Sequence, residues 1–315
     1  MTSTALVLGA TGGIGGEMAR LLVARGWSVR ALNRNPAKAP RTDGITWIKG
    51  DAMSARDVAA AAKGVAVIVH AVNPPGYRNW GKLVLPMVDN TIAAAKANGA
   101  RIVLPGTVYN YGPDVFPNIA EDAPQNARTR KGRIRVEMER RLRKASTEGA
   151  KVLIVRAGDY FGPRAANNWF AQMVTPGRAV KSISNPGRRG VGHQWAYLPD
   201  VAETMMRLLE KGDALEDFAT FHMNGHWDDN GEQMVQSIRR VTAKPKLKMR
   251  RFPWPLIVLG SPFVALFREL REMRYLWKVP VHITNARLVS VLGEEPHTPL
   301  DEAVRTTLEG LGCLS

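Results

Sequence analysis

A chain of 315 residues with 45% hydrophobic and 23% charged residues has an ordinary globular composition and enough length for one or two lobes. One cysteine, Cys313, excludes a disulfide framework and cysteine-rich metal sites, and the six histidines lack paired ligand spacing, so no metal and a reducing, cytoplasmic setting are expected. The net charge of +16 favours anionic partners without choosing among them. The first apolar run is too short for a signal peptide, and no stretch reaches the roughly 18 apolar residues of a membrane span.

In chain order, Ala5–Leu8 reads as a short apolar strand. Gly9, Gly12 and Gly15 follow at G-x-x-G-x-x-G spacing, and Met18, Leu21 and Leu22 mark an amphipathic helix that stops at Gly26. Val29–Leu32 is a second strand. A strand, glycine turn and helix in this order let the backbone approach a pyrophosphate, which the helix N-terminus then binds. Gly9, Thr11, Gly12, Ile14 and Gly15 are the cofactor-binding positions of this turn; the alternative is a glycine-rich turn without a ligand. The second strand ends at Asn33-Arg34, with Arg30 and Lys38 near, where an NAD site usually carries a carboxylate. A guanidinium can bind a 2′-phosphate bidentately, so NADP is expected over NAD unless Arg34 simply faces solvent.

Further segments extend the pattern: "KGDAMSARDVAAAAKGVAVIVHAV", "RIVLPGTVYNYGP", "VLIVRAGDYFGP", "WAYLPDVAETMMRLL" and "NARLVSVLGEEPHTPLDEAVRTTLEGLG". With the glycine spacing, they resemble the extended short-chain dehydrogenase/reductase superfamily, the NAD(P)-dependent epimerase/dehydratase family, across nearly the whole chain. The resemblance implies an α/β fold, a doubly wound parallel sheet (Rossmann) with a smaller C-terminal substrate lobe. Residues 1–163 would bind the cofactor, residues 164–315 would form most of the substrate lobe, and a strand near 218–225 would return to the sheet. By the same resemblance Asp51 would contact the adenine, and Ala71 to Asn73 would line the cofactor.

The resemblance also implies a catalytic Tyr and Lys at i and i+4 on the helix after the fifth strand, with a Ser or Thr at that strand's end. Thr107 fits the strand end. Counting back from Val136-Glu137 in "TRKGRIRVEMERRLRK" puts Thr129 at the Tyr position and Arg133 at the Lys position. An aliphatic hydroxyl cannot replace a phenol of pKa about 10, whereas Arg133 can still donate to ribose hydroxyls. Lys131 is two positions from both, about 200° around a helix, so it is expected to point away. Tyr109 shares parity with Thr107 and Tyr111, which makes it a candidate proton donor if the chain stays extended, with burial beside the sheet as the alternative. Ile134, Met138, Leu142 and Ala145 form an apolar stripe, and the Arg140, Arg141, Arg143 and Lys144 charges off it read as a solvated face in preference to a nucleic-acid surface.

Asn167, Asn168, Trp169, Arg188, His193 and Trp195 are expected to border a small-molecule substrate, anionic or partly apolar, with a structural role favoured for His193 itself. The basic, apolar segment 244–278 reads as a lid, a homodimer contact or a membrane-surface element. The expected function is an NADP(H)-dependent oxidoreductase or epimerase/dehydratase-like enzyme with an atypical catalytic set. A catalytically silent NADP-binding sensor is the alternative, and an RNA-binding derivative the third reading.

Overall fold

The computed structural model describes residues 2–74, 79–164 and 168–314. β1 (Thr4–Leu8), β2 (Ser28–Asn33), β3 (Ile45–Lys49), β4 (Val67–His70) and β5 (Arg101–Thr107) come first, interleaved with α1 (Gly13–Ala24), α2 (Ala55–Ala61) and α3 (Trp80–Asn98). The short β6 (Asn118–Ile119), α4 (Arg130–Ser146), β7 (Lys151–Ala157), β8 (Asp159–Phe161), α5 (Trp169–Met173) and β9 (Ser182–Asn185) follow. Next are β10 (His193–Tyr197), α6 (Leu198–Leu209), β11 (Phe218–His222), β12 (His226–Asp228) and α7 (Gln233–Val241). β13 (Lys248–Arg251), α8 (Trp254–Gly260), α9 (Ala265–Met273), β14 (His282–Ile283), α10 (Ala286–Leu292) and α11 (Leu300–Gly310) close the described chain.

Seven strands form one sheet in the order β3-β2-β1-β4-β5-β7-β11, and every pairing in it is parallel. A parallel sheet needs both faces covered, which is why its strands read as near-continuous apolar runs. Ala5 and Val7 of β1 belong to the apolar cluster that includes α1 and α6. Leu6 and Leu8 point the other way, into the cluster with α2, α3 and α4. Strand order reverses between β1 and β4, and a crevice beyond the carboxyl ends of such strands is where doubly wound sheets take ligands. A third cluster gathers the C-terminal elements, with Trp169, Trp195, Trp254 and Trp277 among its residues, and it includes Val108, Tyr109 and Tyr111 just after β5. Among the described residues, no helix is long and apolar enough to cross a membrane.

Three buried histidines set an acid limit on this fold. Burial, with the Arg135 charge, lowers the His70 pKa to about 3. Burial and Arg156 lower that of His222 to about 3, and burial and His297 lower that of His226 to about 4. Each is neutral when folded but takes a proton near pH 6.5 once unfolded, so the unfolded chain binds more protons throughout that window. Stability is therefore complete above about pH 6.5 and falls with pH, by about 1.4 kcal/mol per pH unit for each fully protonating histidine. Urea midpoints at about pH 7.5 and about pH 5 check this; an unchanged midpoint contradicts it.

Candidate active site

The glycine turn sits at the switch point and is held open by contacts that no side chain could share. Gly9 follows β1 with φ of 92°, and a Cβ there would lie 2.5 Å from the Ala71 carbonyl oxygen, just past β4. Gly15, in the first turn of α1, would put a Cβ 2.3 Å from the Gly9 carbonyl oxygen. Gly12 N–H donates to that same oxygen at 2.9 Å and caps α1 in an extended conformation. The result is a helix N-terminus with no acidic residue in its first turn, facing the crevice. Such an end attracts an anion through its amides and dipole. Thr11 is exposed on this turn and Ile14 is half-buried against the α1/α6 cluster.

The other expected cofactor positions follow the carboxyl ends of β2, β3 and β4. Asn33 ends β2, and its Oδ1 accepts from Asn35 N–H at 2.8 Å. Arg34 is exposed beside it. Arg30 is spoken for: its guanidinium donates to the Ala61 and Lys63 carbonyls at 3.2 and 2.7 Å, tying β2 to the end of α2. The Asp51 carboxylate accepts from Met53 N–H at 2.9 Å, and Asn73 Oδ1 accepts from Trp80 Nε1–H at 2.5 Å.

At α4 and the turn before it the structure departs from three expectations. First, the chain does not stay extended after Thr107. The Thr107 hydroxyl accepts from Tyr109 N–H at 3.3 Å and caps a 3-10 turn over Val108–Asn110. That turn breaks the parity argument, and Tyr109 lies 9% exposed in the C-terminal apolar cluster. Second, Thr129 is the N-cap of α4, its hydroxyl accepting from Gly132 N–H at 2.9 Å. Gly132 passes so close to the preceding turn that a Cβ would lie 2.3 Å from the Tyr109 carbonyl oxygen. These two contacts fix where the helix begins.

Third, Arg133 is exposed and lines an open surface groove with Gln125, Asn126, Ala127, Val136 and Glu137. The inward face of α4 instead carries Lys131, Arg135, Met138, Glu139 and Leu142, the spacing of one helix face. Arg135 Nη1 donates to the Pro105 carbonyl near the end of β5 at 3.4 Å, and its guanidinium lies 5.3 Å from the Trp80 ring. Lys131 does not point away: it is fully buried, with Nζ 2.5 Å from Glu269 and 3.0 Å from Glu272 of α9. Thus the i, i+4 pair turned toward the molecule is Lys131 and Arg135, two positions later than the sequence count.

A phenol that the sequence reading missed also stands here. Tyr160 of β8 donates to the Gly106 carbonyl at 3.0 Å, one residue before Thr107, and belongs to the same apolar cluster as Ile14 and Ala71. Burial raises its pKa against the opposing Arg135 charge, so it remains protonated at neutral pH. No local signal in "GDYFGP" marks it; only the pairing of β8 with β10 and its approach to β5 bring it here.

Of the expected substrate residues, His193 and Trp195 line one small cavity, and the others lie elsewhere. Asn168 is the N-cap of α5, accepting from Ala171 N–H at 2.7 Å, and Asn167 lies outside the described residues. Trp169 and Trp195 are buried in the aromatic core of the C-terminal elements, both against Trp277. His193 stacks on Trp277 at 3.7 Å and 11°, with Nε2 3.1 Å from Asp159 Oδ2 and Nδ1 3.3 Å from the Leu276 carbonyl. The cavity beside it measures about 10 Å³, at most the space of one water. Arg188 is exposed on a surface turn. Among the described residues no group of three or more His, Cys, Asp or Glu is arranged to hold a metal ion.

The basic face of α4 is neutralised locally. Arg140 and Arg141 both pair with Glu137, Arg141 also reaches Asp89, and Arg143 lies over the Phe218 ring at 4.1 Å.

Comparison with known proteins identifies a matching domain and shared fold. The NAD(P)H-binding family matches residues 9–164. The 3-diazoavenalumate denitrifying reductase of a Streptomyces species is 29% identical over 176 residues, which cover 50% of this chain and 56% of that protein. The chain's match therefore spans little more than half of that relative. The UDP-glucose 4-epimerase of Thermotoga maritima, with UDP-glucose, has a TM-score of 0.75 at 14% identity over 98% of each chain. WbmH of Bordetella bronchiseptica in complex with NAD+ has a TM-score of 0.72 at 19% identity, again over 98% of each. MoeE5 in complex with UDP-glucose and NAD has a TM-score of 0.73 at 18% identity over 98% of each. Residues 9–164 thus match the NAD(P)H-binding family, within a chain that has the fold of these epimerase and NAD-complex structures.

Proposed function

We propose that this chain is an NADPH-dependent reductase that delivers hydride to a substrate needing no proton from the protein. The observation that carries the cofactor part is the Gly9–Gly12–Gly15 cradle at the β1/β4 switch point, whose contacts leave no room for a Cβ at Gly9 or Gly15. Arg34 supports NADP over NAD, since it stands exposed at the end of β2 while Arg30 is engaged elsewhere. Arg133, exposed, is withdrawn from the proposed site, and Arg135 takes its place beside the end of β5.

A bound nicotinamide would supply hydride. The chain's own residues then orient and exclude water. Arg135, which lies over the Trp80 ring, reaches the Pro105 carbonyl near the end of β5, and the Thr107 and Tyr160 hydroxyls stand on that strand's last residues. Neither Lys131, clamped by two glutamates, nor the capping Thr129 is placed to move a proton. Chemistry without a proton step fits that arrangement. The relative is named for a diazo substrate and a denitrifying reduction. When the diazo-bearing carbon takes hydride, N2 leaves with the carbon–nitrogen bonding pair, and no proton is required. The clamped Lys131 equally favours a second reading, a silent NADPH-binding sensor.

Cofactor choice is tested by calorimetry on the wild type and Arg34→Ala. NADPH is expected to bind more tightly than NADH, and the substitution to cost about 1.5–3 kcal/mol for NADPH alone. Equal wild-type affinities, or an equal loss for both cofactors, contradict the assignment.

A further inference from the structure

α8 and α9 form a helical hairpin joined by residues 261–264, with two unlike faces. The inner face is anchored: Ile257 and Met273 are buried, and Trp254 Nε1–H donates to the Pro186 carbonyl at 2.8 Å. The outer face is bare. Leu256 is 66% exposed, Leu259 76% and Phe263 89%, with Val264 and Leu266 exposed beside them. Scattered exposed apolar residues are ordinary, but a contiguous set at the tip of one hairpin marks a contact surface.

The charge around the tip says what would cover it. Between residues 244 and 278 there are nine Lys or Arg and two acids, Glu269 and Glu272. Both acids turn inward to Arg130 and Lys131 of α4. Lys248, Arg250, Arg251 and Arg268 are exposed, and no ion pair to a carboxylate is formed by them among the described residues. An apolar tip flanked in sequence by exposed cations of β13 and α9 that form no ion pair among the described residues is complementary to a surface that is negative outside and apolar beneath. A second copy meeting this patch about a two-fold axis would bring the basic rim against itself.

We propose that the α8–α9 tip docks the protein on anionic membranes, with Leu256, Leu259 and Phe263 entering the interfacial layer and Lys248, Arg250, Arg251 and Arg268 facing the headgroups. α8, at seven residues, lies in the interface and does not cross it. The contact goes beyond the cofactor chemistry and does not depend on it.

The test is co-sedimentation of the full chain with vesicles of phosphatidylcholine alone or mixed equally with phosphatidylglycerol. The protein is expected to pellet with the mixed vesicles and to remain in solution with phosphatidylcholine alone. Leu259→Ser with Phe263→Ser should abolish pelleting while leaving the melting temperature and NADPH affinity unchanged, because both side chains are exposed. Arg250→Gln and Arg251→Gln should each weaken partitioning about fivefold. Absence of pelleting overturns the proposal. So does pelleting that ignores the two apolar substitutions, which would be adsorption by net charge alone. A lipid-free dimer that the same pair dissociates also overturns it, because a second copy would then be the occupant.

Discussion

Arg156→Ala is expected to cost about 3–5 kcal/mol of folding stability, a large share of the roughly 5–15 kcal/mol typical of a domain. Arg156 is 2% exposed in β7. Its guanidinium donates to both carboxylate oxygens of Glu139, at 2.7 and 3.1 Å, and to the Tyr111 hydroxyl at 3.0 Å. Tyr111 in turn lies 2.7 Å from His222 Nε2 of β11. Burial alone would raise the Glu139 pKa, but the Arg156 charge and hydrogen bonds offset that and hold it below its ordinary value. Truncating Arg156 strands that carboxylate in the interior, and this accounts for most of the expected loss. Arg156→Met combined with Glu139→Leu should recover much of it, since no buried charge is then left unpaired. Urea denaturation of the three proteins checks the ordering. A single mutant as stable as wild type would mean that the network contributes little.

Gly15→Ala is expected to cut NADPH affinity by roughly ten- to a hundredfold. The added Cβ would meet the Gly9 carbonyl oxygen at 2.3 Å and the Ala71 Cβ at 3.1 Å. The first is backbone, held by its hydrogen bond from Gly12, and cannot swing aside as a side chain could. Relief requires α1 to move off the turn, at about 1–3 kcal/mol of overpacking, and the amides that face a pyrophosphate move with it. Gly81→Ala is the matched control. It also lies in a helix, but its Cβ would meet nothing nearer than Ile134 Cδ1 at 3.9 Å. Affinity unaltered by Gly15→Ala, with the fold intact, would remove the cradle from cofactor binding.

The parts legible in the sequence were those written in local spacing. The continuous apolar run Ala5–Leu8 and the glycine positions that follow announce a buried parallel strand and a tight turn into a helix, and the structure has both. The register of α4 was not legible, because Glu137 and Glu139 both suit a helix facing a cation. The deciding contact is with Arg156, seventeen residues on, and it selects Glu139. The 3-10 turn after Thr107 has no breaker residue to signal it, so the parity placed on Tyr109 failed. Tryptophans fill cores as readily as they line clefts, which is why Trp169 and Trp195, expected at a substrate, lie in the aromatic interior. Segment 244–278 leaves three readings open in the sequence, because only the fold divides it into a buried and an exposed face.

Hydride transfer without a phenol from the protein is open to direct measurement. The direct measurement is deuterium transfer from NADPH labelled at the nicotinamide C4 to an arenediazonium carboxylate, followed by mass spectrometry of the arene. In wild type the label is expected in the product with release of N2. In Tyr160→Phe and Tyr109→Phe the rate should stay well within the roughly 10²–10⁴-fold loss that removal of a general acid brings. Tight NADPH binding with no label transferred would contradict the account in favour of a silent sensor, and a hundredfold loss in Tyr160→Phe would contradict it in favour of a proton donor.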